Sequence, residues 1–406
     1  MRKSSLRSPT EVVGFVIFIG VITTLVWLTH SSAANSARTS SESPGVQSQK
    51  QPPRQCPSCP PPSPRRIYAP AIDLDEAERC EIVLNNRSPN PIDITPTFYT
   101  AGGDAIIGNP IQLQPAEIRF VPVEQLMPES IRGTHRWGGV ALSYTGNVLE
   151  VWAQITFHGI GGGSIDETFN VLEENGSDTR EAVWWMPRRS TAILALGNSS
   201  GNAVRANVQF SPGESEDVDI PAGKTKFVRR HATGNQARME SVKIVTQSDA
   251  GAIRLAGFIA GDDDSFASSI RFYDTKKTAQ PNLYALNLRL SQTTPRIVLK
   301  NTTDASVNAK PIFLTCNGNE DNPVELPSRA LAPHEVVDLD LSSLKAAAAT
   351  RSDLDSVGVR IDNSGAPGSL IGAAYSTDRT TGFDFGCAVA RHGTNSQPHR
   401  ELSVES

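Results

Sequence analysis

Three stretches of this chain share one pattern, and that pattern decides the fold. Residues 80–99 read CEIVLNNRSPNPIDITPTFY, residues 192–210 read AILALGNSSGNAVRANVQF, and residues 296–314 read RIVLKNTTDASVNAKPIFL. Each stretch has a β-prone run that ends in Asn, a short polar turn, and a second run with a Phe 12 residues after the Asn. Because the spacing is the same three times, we interpret it as an internal repeat.

The Asn at the end of each first run marks the repeat most clearly. These residues are Asn86, Asn198 and Asn301. The intervals between them are 112 and 103 residues, which gives the approximate length of one unit. All three stand in N-x-Ser/Thr sequons, but Asn commonly caps a turn through its own side chain. We therefore predict that these residues cap a turn shared by all three units.

Each repeat consists of short β-prone runs separated by turn residues, which is typical of an antiparallel β-sandwich. We predict an all-β body with three tandem immunoglobulin-like sandwich repeats, at 67–178, 179–278 and 279–393, and a disordered tail at 394–406. A good helix former at 342–354, SSLKAAAATRSDL, is predicted as a short connection in the third repeat. Alternate apolar residues of the strands should face the core between the sheets. Examples are Ile92, Ile94, Phe98, Val208 and Phe210.

The N-terminal part carries the one long apolar run of the sequence, Val12 to Leu28, which has no charged residue. Its length of about 26 Å as a helix is close to the ~30 Å hydrocarbon thickness of a bilayer, so we predict a transmembrane helix over residues 12–30. Basic residues precede it, which places residues 1–11 in the cytoplasm and the rest of the chain outside. A cleaved signal peptide is the alternative, since the small residues SSAA follow the run. The length of the run favours a retained anchor.

Residues 31–66 are rich in Ser, Gln and Pro, and they are predicted to be a disordered linker because they cannot bury enough apolar surface to offset chain entropy. Cys56 and Cys59 form a C-x-x-C within this linker. A thioredoxin-like or zinc site would need a context that is missing here, which leaves a disulfide within or between chains, or exposed thiols. Cys316 and Cys387 of the third repeat could form a further disulfide in an exported domain.

Charge is divided unequally along the chain. Residues 1–66 hold 8 Lys and Arg against 2 Asp and Glu, whereas residues 67–406 hold 30 against 41. An acidic body lacks the basic footprint that nucleic-acid binding requires, so no nucleic-acid partner is predicted.

Motifs of catalysis and ligand binding are incomplete in this sequence. Gly197 to Gly201 match G-x-S-x-G with Ser199 at the centre, but a strand follows instead of the helix of a nucleophile elbow. Ser342 and Lys345 match the first motif of penicillin-recognising enzymes without its partner motifs. An acidic loop at 262–264 could hold calcium, with a solvated loop as the simpler interpretation. No cofactor is predicted, and a serine hydrolase is kept as a remote alternative.

The architecture resembles bacterial envelope proteins with tandem immunoglobulin-like or fibronectin-III-like modules. This resemblance implies a membrane-anchored, extracytoplasmic spacer or protein-binding ectodomain, with an envelope protein as a candidate partner. The alternative is an adhesin that binds carbohydrate or peptidoglycan, with a cell-wall glycan as partner, through exposed aromatic residues of the first repeat. The tryptophans near that repeat are Trp137, Trp152, Trp184 and Trp185. Core burial and packing between the first and second repeats are the simpler expectation for them.

Overall fold

The computed structural model describes most of the chain between residues 63 and 388. The described residues are 63–73, 80–100, 104–129, 137–147, 149–160, 163–168, 170–171, 178–211, 213–232, 236–247, 252–261, 267–277, 282–289, 293–314, 324–339, 341, 356–378 and 384–388. By its contacts the chain divides into two compact units, Met1–Pro60 and Pro61–Ser406, and every described residue belongs to the second. The described strands form six antiparallel sheets in three successive pairs, which confirms the all-β prediction and the repetition of β-rich domains.

Sheets A and B make up the first pair, called the first unit below. Its strands are β1 (Ser63–Asp73), β2 (Cys80–Asn86), β3 (Ile92–Thr100), β4 (Ala105–Ile107), β5 (Ile111–Leu113), β6 (Ile118–Pro122), β7 (Trp137–Gly146), β8 (Val151–Ile160), β9 (Gly163–Thr168) and β10 (Asn170–Val171). A short helix, α1 (Val123–Leu126), follows β6. Sheet A has the order β10-β1-β7-β3-β4, with β5 also paired to β3, and sheet B has the order β6-β2-β8-β9.

Sheets C and D make up the second unit. Its strands are β11 (Thr179–Met186), β12 (Ser190–Asn198), β13 (Val204–Ser211), β14 (Ser215–Ile220), β15 (Thr225–His231), β16 (Arg238–Thr246), β17 (Ile253–Gly261) and β18 (Ala267–Ser269). Sheet C has the order β11-β16-β13-β14, and sheet D has the order β15-β12-β17-β18.

Sheets E and F make up the third unit. Its strands are β19 (Leu283–Arg289), β20 (Thr293–Asn301), β21 (Val307–Leu314), β22 (Val324–Glu325), β23 (Arg329–Leu331), β24 (Val336–Leu339), β25 (Ser356–Asn363), β26 (Leu370–Asp378) and β27 (Asp384–Ala388). Sheet E has the order β19-β25-β21-β22, with β23 also paired to β21, and sheet F has the order β24-β20-β26-β27.

The alternation of the repeat strands positions the core of each unit. Along β3 every second residue is buried, and Ile92, Ile94 and Phe98 meet the buried residues of sheet B, as predicted. Val208 and Phe210 of β13 are buried in the same way in the second unit. The period-2 pattern of the sequence therefore determines which side chains of each strand point into the core.

The Phe of each repeat has the same cross-strand partner. Phe98 pairs with Val140, Phe210 with Val242, and Phe313 with Val359. These three pairs give the structural register of the repeat, because all other positions in sheets A, C and E can be counted from them.

One sequence expectation needs correction, and several others remain open. The predicted linker extends to residue 66, but residues 63–66 begin β1 and pair with Gly146 to Ser143 of β7, because strand pairing satisfies backbone hydrogen-bonding groups. In the described residues no helix is long and apolar enough to cross a membrane. The predicted transmembrane segment 12–30, the cytoplasmic segment 1–11, the linker up to residue 62, the helix at 342–354 and the tail 394–406 lie outside them.

Candidate functional site

Each repeated Asn is a buried clamp that joins the two sheets of its unit. Asn86 stands at the end of β2, and its Nδ2 donates hydrogen bonds to the carbonyl oxygens of Asn90 at 2.8 Å, Leu113 at 3.3 Å and Gln114 at 2.9 Å. Its Oδ1 accepts a hydrogen bond from the backbone N–H of Ser88 at 2.9 Å. Since Leu113 ends β5, one side chain of sheet B caps the turn and also holds sheet A.

The other two units repeat this clamp. Asn198 Nδ2 donates to the carbonyl oxygen of Ile220 at 2.9 Å, and Asn301 Nδ2 donates to those of Leu331 at 3.3 Å and Ala332 at 2.9 Å. All three Asn side chains are fully buried. A buried amide with its hydrogens already donated has no space for a glycan, so these sequons serve the fold.

The G-x-S-x-G segment belongs to the turn that Asn198 clamps. Ser199 follows β12 and precedes β13, and its Oγ donates a hydrogen bond to the carbonyl oxygen of Ala252 at 3.1 Å. A nucleophile elbow would place the serine between a strand and a helix. The two glycines have different surroundings: a Cβ on Gly201 would meet no atom within 4 Å, whereas a Cβ on Gly197 would lie 2.8 Å from the Tyr68 ring.

Tyr68 is the centre of the contact between the first and second units, called junction 1. Its ring is fully buried between Gly139 of its own sheet and Gly197 of sheet D, where added Cβ atoms would lie 2.2 and 2.9 Å from the Tyr68 Oη. Burial of the phenol raises the pKa of Tyr68 to about 12, and the neighbouring Thr225 hydroxyl and Arg66 counteract part of this effect. The two glycines thus leave the space that the tyrosine ring occupies.

Junction 1 also has a backbone contact and a small apolar cluster. Thr225 Oγ1, at the start of β15, donates a hydrogen bond to the carbonyl oxygen of Pro70 at 2.8 Å, and both groups are buried. Ala71 of β1 packs against side chains of sheet D. These are Ala195, Ala256 and the partly buried Phe227. Phe258 of β17 belongs to the buried cluster of the first unit, so the apolar core continues through junction 1.

The contact between the second and third units, called junction 2, contains a buried ion pair. Lys300 Nζ lies 2.7 Å from Glu181 Oε2, and the two side chains are 5% and 4% exposed. Burial lowers the pKa of Lys300, and the Glu181 carboxylate opposes that shift. A pair this deeply buried stabilises the junction only while both partners are present.

Junction 2 also contains aromatic contacts. The guanidinium of Arg296 lies 4.8 Å from the centre of the Trp185 ring, and the Tyr375 ring lies 6.3 Å from it. Tyr273 Oη donates a hydrogen bond to the carbonyl oxygen of Gly372 at 2.7 Å. Val298, Ile371 and Tyr375 of the third unit belong to the buried cluster of the second unit, so the core continues here as well.

Both junctions use the same positions of the repeat. Tyr68 pairs with the residue that follows Val140, and Glu181 pairs with the residue that follows Val242. Their partners Gly197 and Lys300 each stand directly before a clamp Asn. The first strand of one unit therefore covers the outer face of the second sheet of the next unit, at equivalent positions both times.

The corresponding outer face of sheet B, in the first unit, is exposed. We call it the sheet B face and define it by Val83, Asn85, Ile118, Phe120 and Trp152. Asn85 pairs with both Ile118 and Trp152, and Val83 pairs with Phe120, so the five side chains lie in adjacent rows. Ile118 is 57% exposed and Phe120 is 63% exposed, while the other three are half-buried. Ile118 and Phe120 are therefore the exposed apolar side chains of this face.

Phe120 has a covered counterpart in the second unit. Phe120 pairs with Val83, three residues before the clamp Asn86, and Phe227 pairs with Ala195, three residues before the clamp Asn198. Phe227 packs against Ala71 of β1 at junction 1. The same aromatic position is therefore used for packing in one unit and is open to solvent in another.

The tryptophans take different places. Trp184 is fully buried and Trp185 is 9% exposed, so neither belongs to an exposed platform. Trp185 lies at junction 2, whereas the sequence analysis placed this packing between the first and second units. Trp152 is half-buried on the sheet B face. The side chain of Trp137 is outside the described part of the structure.

Other candidate residues of the sequence analysis are separate from these surfaces or outside the described residues. Cys387 lies in β27, where its backbone alone is described, and Cys56, Cys59 and Cys316 are outside, so both disulfide predictions stay predictions. The acidic loop at 262–264 and the pair Ser342 and Lys345 are outside as well. Within the described residues, no group of three or more His, Cys, Asp or Glu side chains is arranged to hold a metal ion.

The sequence matches no protein-family model, and a search of curated proteins found no significant similarity. The sequence patterns gave no indication of the junction contacts of Tyr68, Glu181 and Lys300 or of the exposure of Phe120. The repeat places Phe120 and Phe227 at the same position, but it does not indicate which of the two is exposed.

Proposed function

We propose that this chain is a non-enzymatic, membrane-anchored spacer that carries three tandem β-sandwich modules, of the immunoglobulin-like or fibronectin-III-like type, outside the cytoplasm. Residues 12–30 are the anchor, and residues 31–62 hold the modules away from the bilayer. The observation that carries the proposal is the covered outer face at junctions 1 and 2, where the first strand of one unit is buried in the next. A spacer needs such contacts because they hold consecutive modules at a fixed angle.

The physical argument rests on how the junctions are packed. Interfaces between domains of one chain are usually polar and allow relative motion. Here Tyr68 is fully buried and the Glu181–Lys300 pair is almost fully buried, so a hinge motion would expose an apolar ring at one junction and unpaired charges at the other. Both motions carry a large free-energy cost, which favours a rigid row.

The surroundings of Ser199 support the proposal that the chain has no enzymatic role. Gly197 leaves the space that the Tyr68 ring occupies, and the hydroxyl of Ser199 donates a hydrogen bond to the carbonyl oxygen of Ala252. The G-x-S-x-G motif is thus accounted for by packing and by turn geometry. A serine-reactive fluorophosphonate that labelled Ser199, and lost the label in Ser199→Ala, would restore the hydrolase alternative.

The rigid spacer is tested by distance measurements within one chain. Spin labels introduced as unnatural amino acids at Ile107 of the first unit and Arg329 of the third unit, both exposed, report the distance across the two junctions in the full-length protein. We expect one narrow distance distribution that broadens in Lys300→Ala. A broad distribution in the unmodified chain would contradict the proposal.

The location is tested separately by protease access. In intact spheroplasts, externally added protease should remove an epitope tag placed after residue 406. A tag placed before residue 1 should stay protected. Protection of the C-terminal tag would contradict an extracytoplasmic location.

The adhesin alternative keeps one supporting observation, the presence of Phe120 and Trp152 on the sheet B face. Aromatic rings that stack on sugars must be exposed, and Phe120 meets that requirement. Retention of the protein on peptidoglycan or cell-wall glycans, reduced in Phe120→Ala and unchanged in Ile107→Ala, would support the adhesin. Equal retention of all three proteins would oppose it.

A further inference from the structure

The outer face of sheet A carries a polar cavity that the spacer role does not use. Its volume is about 500 Å³. Small-molecule sites usually measure roughly 300–1,000 Å³, so this cavity has room for a ligand of one or two rings. We call it the sheet A cavity and define it by Pro64, Arg66, Asp93, Thr95, Ser143 and Thr145.

The strand register places these side chains in neighbouring rows. Arg66 of β1 and Thr95 of β3 both pair with Ser143 of β7, so the three residues form one row across the sheet. Pro64 pairs with Thr145 in the next row. Alternate residues of these strands belong to the core of the first unit, which leaves the residues of the two rows on the outer face.

Arg66 supplies a positive charge to the sheet A cavity. It is half-buried, and its guanidinium carbon lies 5.3 Å from the centre of the Tyr99 ring. Burial lowers the pKa of Arg66, and the nearby Tyr68 phenol opposes part of that shift. Among the described residues, no carboxylate forms an ion pair with this guanidinium. A cation that is partly removed from water is stabilised by an anion, so the cavity favours a negatively charged ligand.

Other half-buried arginines of the described structure have a carboxylate partner within the protein. The pairs are Arg180 with Asp274, Arg230 with Glu214 and Glu240, Arg238 with Glu240, Arg296 with Asp338, and Arg360 with Asp362. Arg230 and Arg296 also lie over an aromatic ring, as Arg66 does. An aromatic contact therefore accompanies a carboxylate at these two positions and does not replace it.

The rest of the sheet A cavity suits a ligand with several hydroxyl groups. Thr95, Ser143 and Thr145 each carry a hydroxyl that can donate and accept a hydrogen bond. The Asp93 carboxylate accepts a hydrogen bond from Gln112 Nε2 at 2.9 Å and has further lone pairs for other donors. This carboxylate repels a phosphate dianion, whereas a sugar hydroxyl can donate to it. The cavity therefore favours a sugar acid over a phosphate.

The equivalent face of the second unit has a different arrangement. Arg205 of sheet C stands where Asp93 stands in sheet A, five residues before the repeated Phe. Its Nη2 lies 3.0 Å from Asp217 Oδ2, and Asn207 Nδ2 donates a hydrogen bond to Asp217 Oδ1 at 2.7 Å. The cation of that face is paired within the protein, which makes Arg205 a matched control for Arg66.

We propose that the sheet A cavity binds a sugar that carries a carboxylate group. The Arg66 guanidinium holds the carboxylate of the ligand. Asp93, Thr95 and Ser143 hold its hydroxyl groups. The site is separate from the sheet B face, because it lies on the other sheet of the first unit. Binding of a sugar acid goes beyond the proposed spacer function and does not depend on it.

The first test compares sugars that differ in the carboxylate. N-acetylmuramic acid is N-acetylglucosamine with an added lactyl group, and galacturonic acid is galactose oxidised to a carboxylate, so each acid has a matched neutral sugar. In calorimetric titrations of the full-length protein in mild detergent, at least one acid should bind at least about tenfold more tightly than its neutral match. The acid that binds identifies the source, which is peptidoglycan for the first and a uronic-acid polysaccharide for the second.

Variants of the cavity and of sheet C locate the binding. Arg66→Gln should weaken binding of the acid by at least about tenfold, because the carboxylate loses its charged partner. Ser143→Ala should weaken it by about two- to tenfold, as expected for a neutral hydrogen bond. Arg205→Gln should bind as the unmodified chain does. Circular dichroism and the unfolding temperature establish that the three variants are folded.

Four results of these titrations would overturn the proposal. They are the failure of both acids to bind, equal binding of an acid and its neutral match, equal losses in Arg66→Gln and Arg205→Gln, and binding of acetate as tightly as of the sugar acid. The last result would mean that the cavity holds a carboxylate without recognising a sugar.

The second test maps the site in the unmodified chain, so it does not depend on the folding of a variant. A diazirine derivative of the acid that binds should label residues 63–66, 93–95 or 143–145 on irradiation, and an excess of the unlabelled acid should suppress the labelling. Labelling of Phe120 or Trp152 instead would place the sugar on the sheet B face and overturn the proposal.

The two proposals fail independently. A narrow distance distribution in a chain that binds neither acid would leave the rigid spacer and remove the sugar site. A broad distribution in a chain that binds one of the acids through Arg66 would remove the rigid spacer and leave the site.

Discussion

Junctions 1 and 2 have the same geometry and different chemistry. At junction 1 a tyrosine ring is packed against glycine, and at junction 2 a glutamate carboxylate binds a lysine ammonium, although each pair stands at the same positions of the repeat. The same positions of the repeat meet at both junctions, but they carry different pairs of side chains. The repeat therefore encodes a contact surface as well as a fold.

The largest expected effect comes from breaking the ion pair of junction 2. Lys300→Ala should lower the free energy of unfolding by about 3–5 kcal/mol, because the Glu181 carboxylate would remain buried without its partner. Chemical denaturation measures this change. The double variant Glu181→Leu with Lys300→Met should regain most of the loss, since a well-packed apolar pair can replace a buried ion pair.

The exposed pair Lys310 and Glu325 is a matched control for this prediction. Its atoms are also 2.7 Å apart, but the side chains are 41% and 58% exposed. Lys310→Ala should change the free energy of unfolding by less than about 1 kcal/mol. A loss as large as that of Lys300→Ala would mean that burial does not distinguish the two pairs.

The stability of junction 1 should depend on pH through the buried phenol of Tyr68. Burial raises the pKa of Tyr68 from its usual 10.0 to about 12 in the folded state, so the neutral phenol contributes its full stability below pH 10. That contribution is lost as the pH rises from 10 to about 12, and it amounts to about 3 kcal/mol. Between pH 10 and about pH 12, the free energy of unfolding should fall less for Tyr68→Phe than for the unmodified chain. Parallel pH profiles for the two proteins would show that Tyr68 does not titrate in the folded state as described.

A smaller loss should follow from adding one methyl group at junction 1. A Cβ on Gly197 would lie 2.8 Å from the Pro70 Cβ and from the Tyr68 ring, so Gly197→Ala should cost about 1–3 kcal/mol through overpacking. Gly201→Ala is the control, because a Cβ there meets nothing within 4 Å. Thermal unfolding of the two variants gives the comparison. Equal unfolding temperatures would show that junction 1 is loosely packed.

The repeat made part of this structure predictable. Some features depend only on residues a few positions apart in the sequence. They are the alternating burial of Ile92, Ile94 and Phe98 and the capping of each turn by Asn. Asn86 of sheet B also donates a hydrogen bond to the carbonyl oxygen of Leu113 in sheet A, and this contact can be recognised only once the fold is known. The pattern of a turn therefore indicated the place of the clamp but not all of its contacts.

The junctions could not be predicted in the same way. Glu181 and Lys300 are far apart in sequence, and either charge could have been a solvated surface residue. The exposure of Phe120 has no local signature either, because Phe227 at the same position is partly covered. Phe227 differs from Phe120 because β1 of the preceding unit packs against it. Such a contact depends on how neighbouring units pack and not on the local sequence.

The central claim, that the first strand of each unit is held by the next unit, is tested most directly by hydrogen exchange. In the full-length protein carrying Gly197→Ala, a change in the second unit, backbone amides of β1 in the first unit should exchange faster, while those of β3 should keep their rates. Gly201→Ala should leave both strands unchanged. Unchanged exchange of β1 in Gly197→Ala, with acceleration confined to the second unit, would contradict the claim.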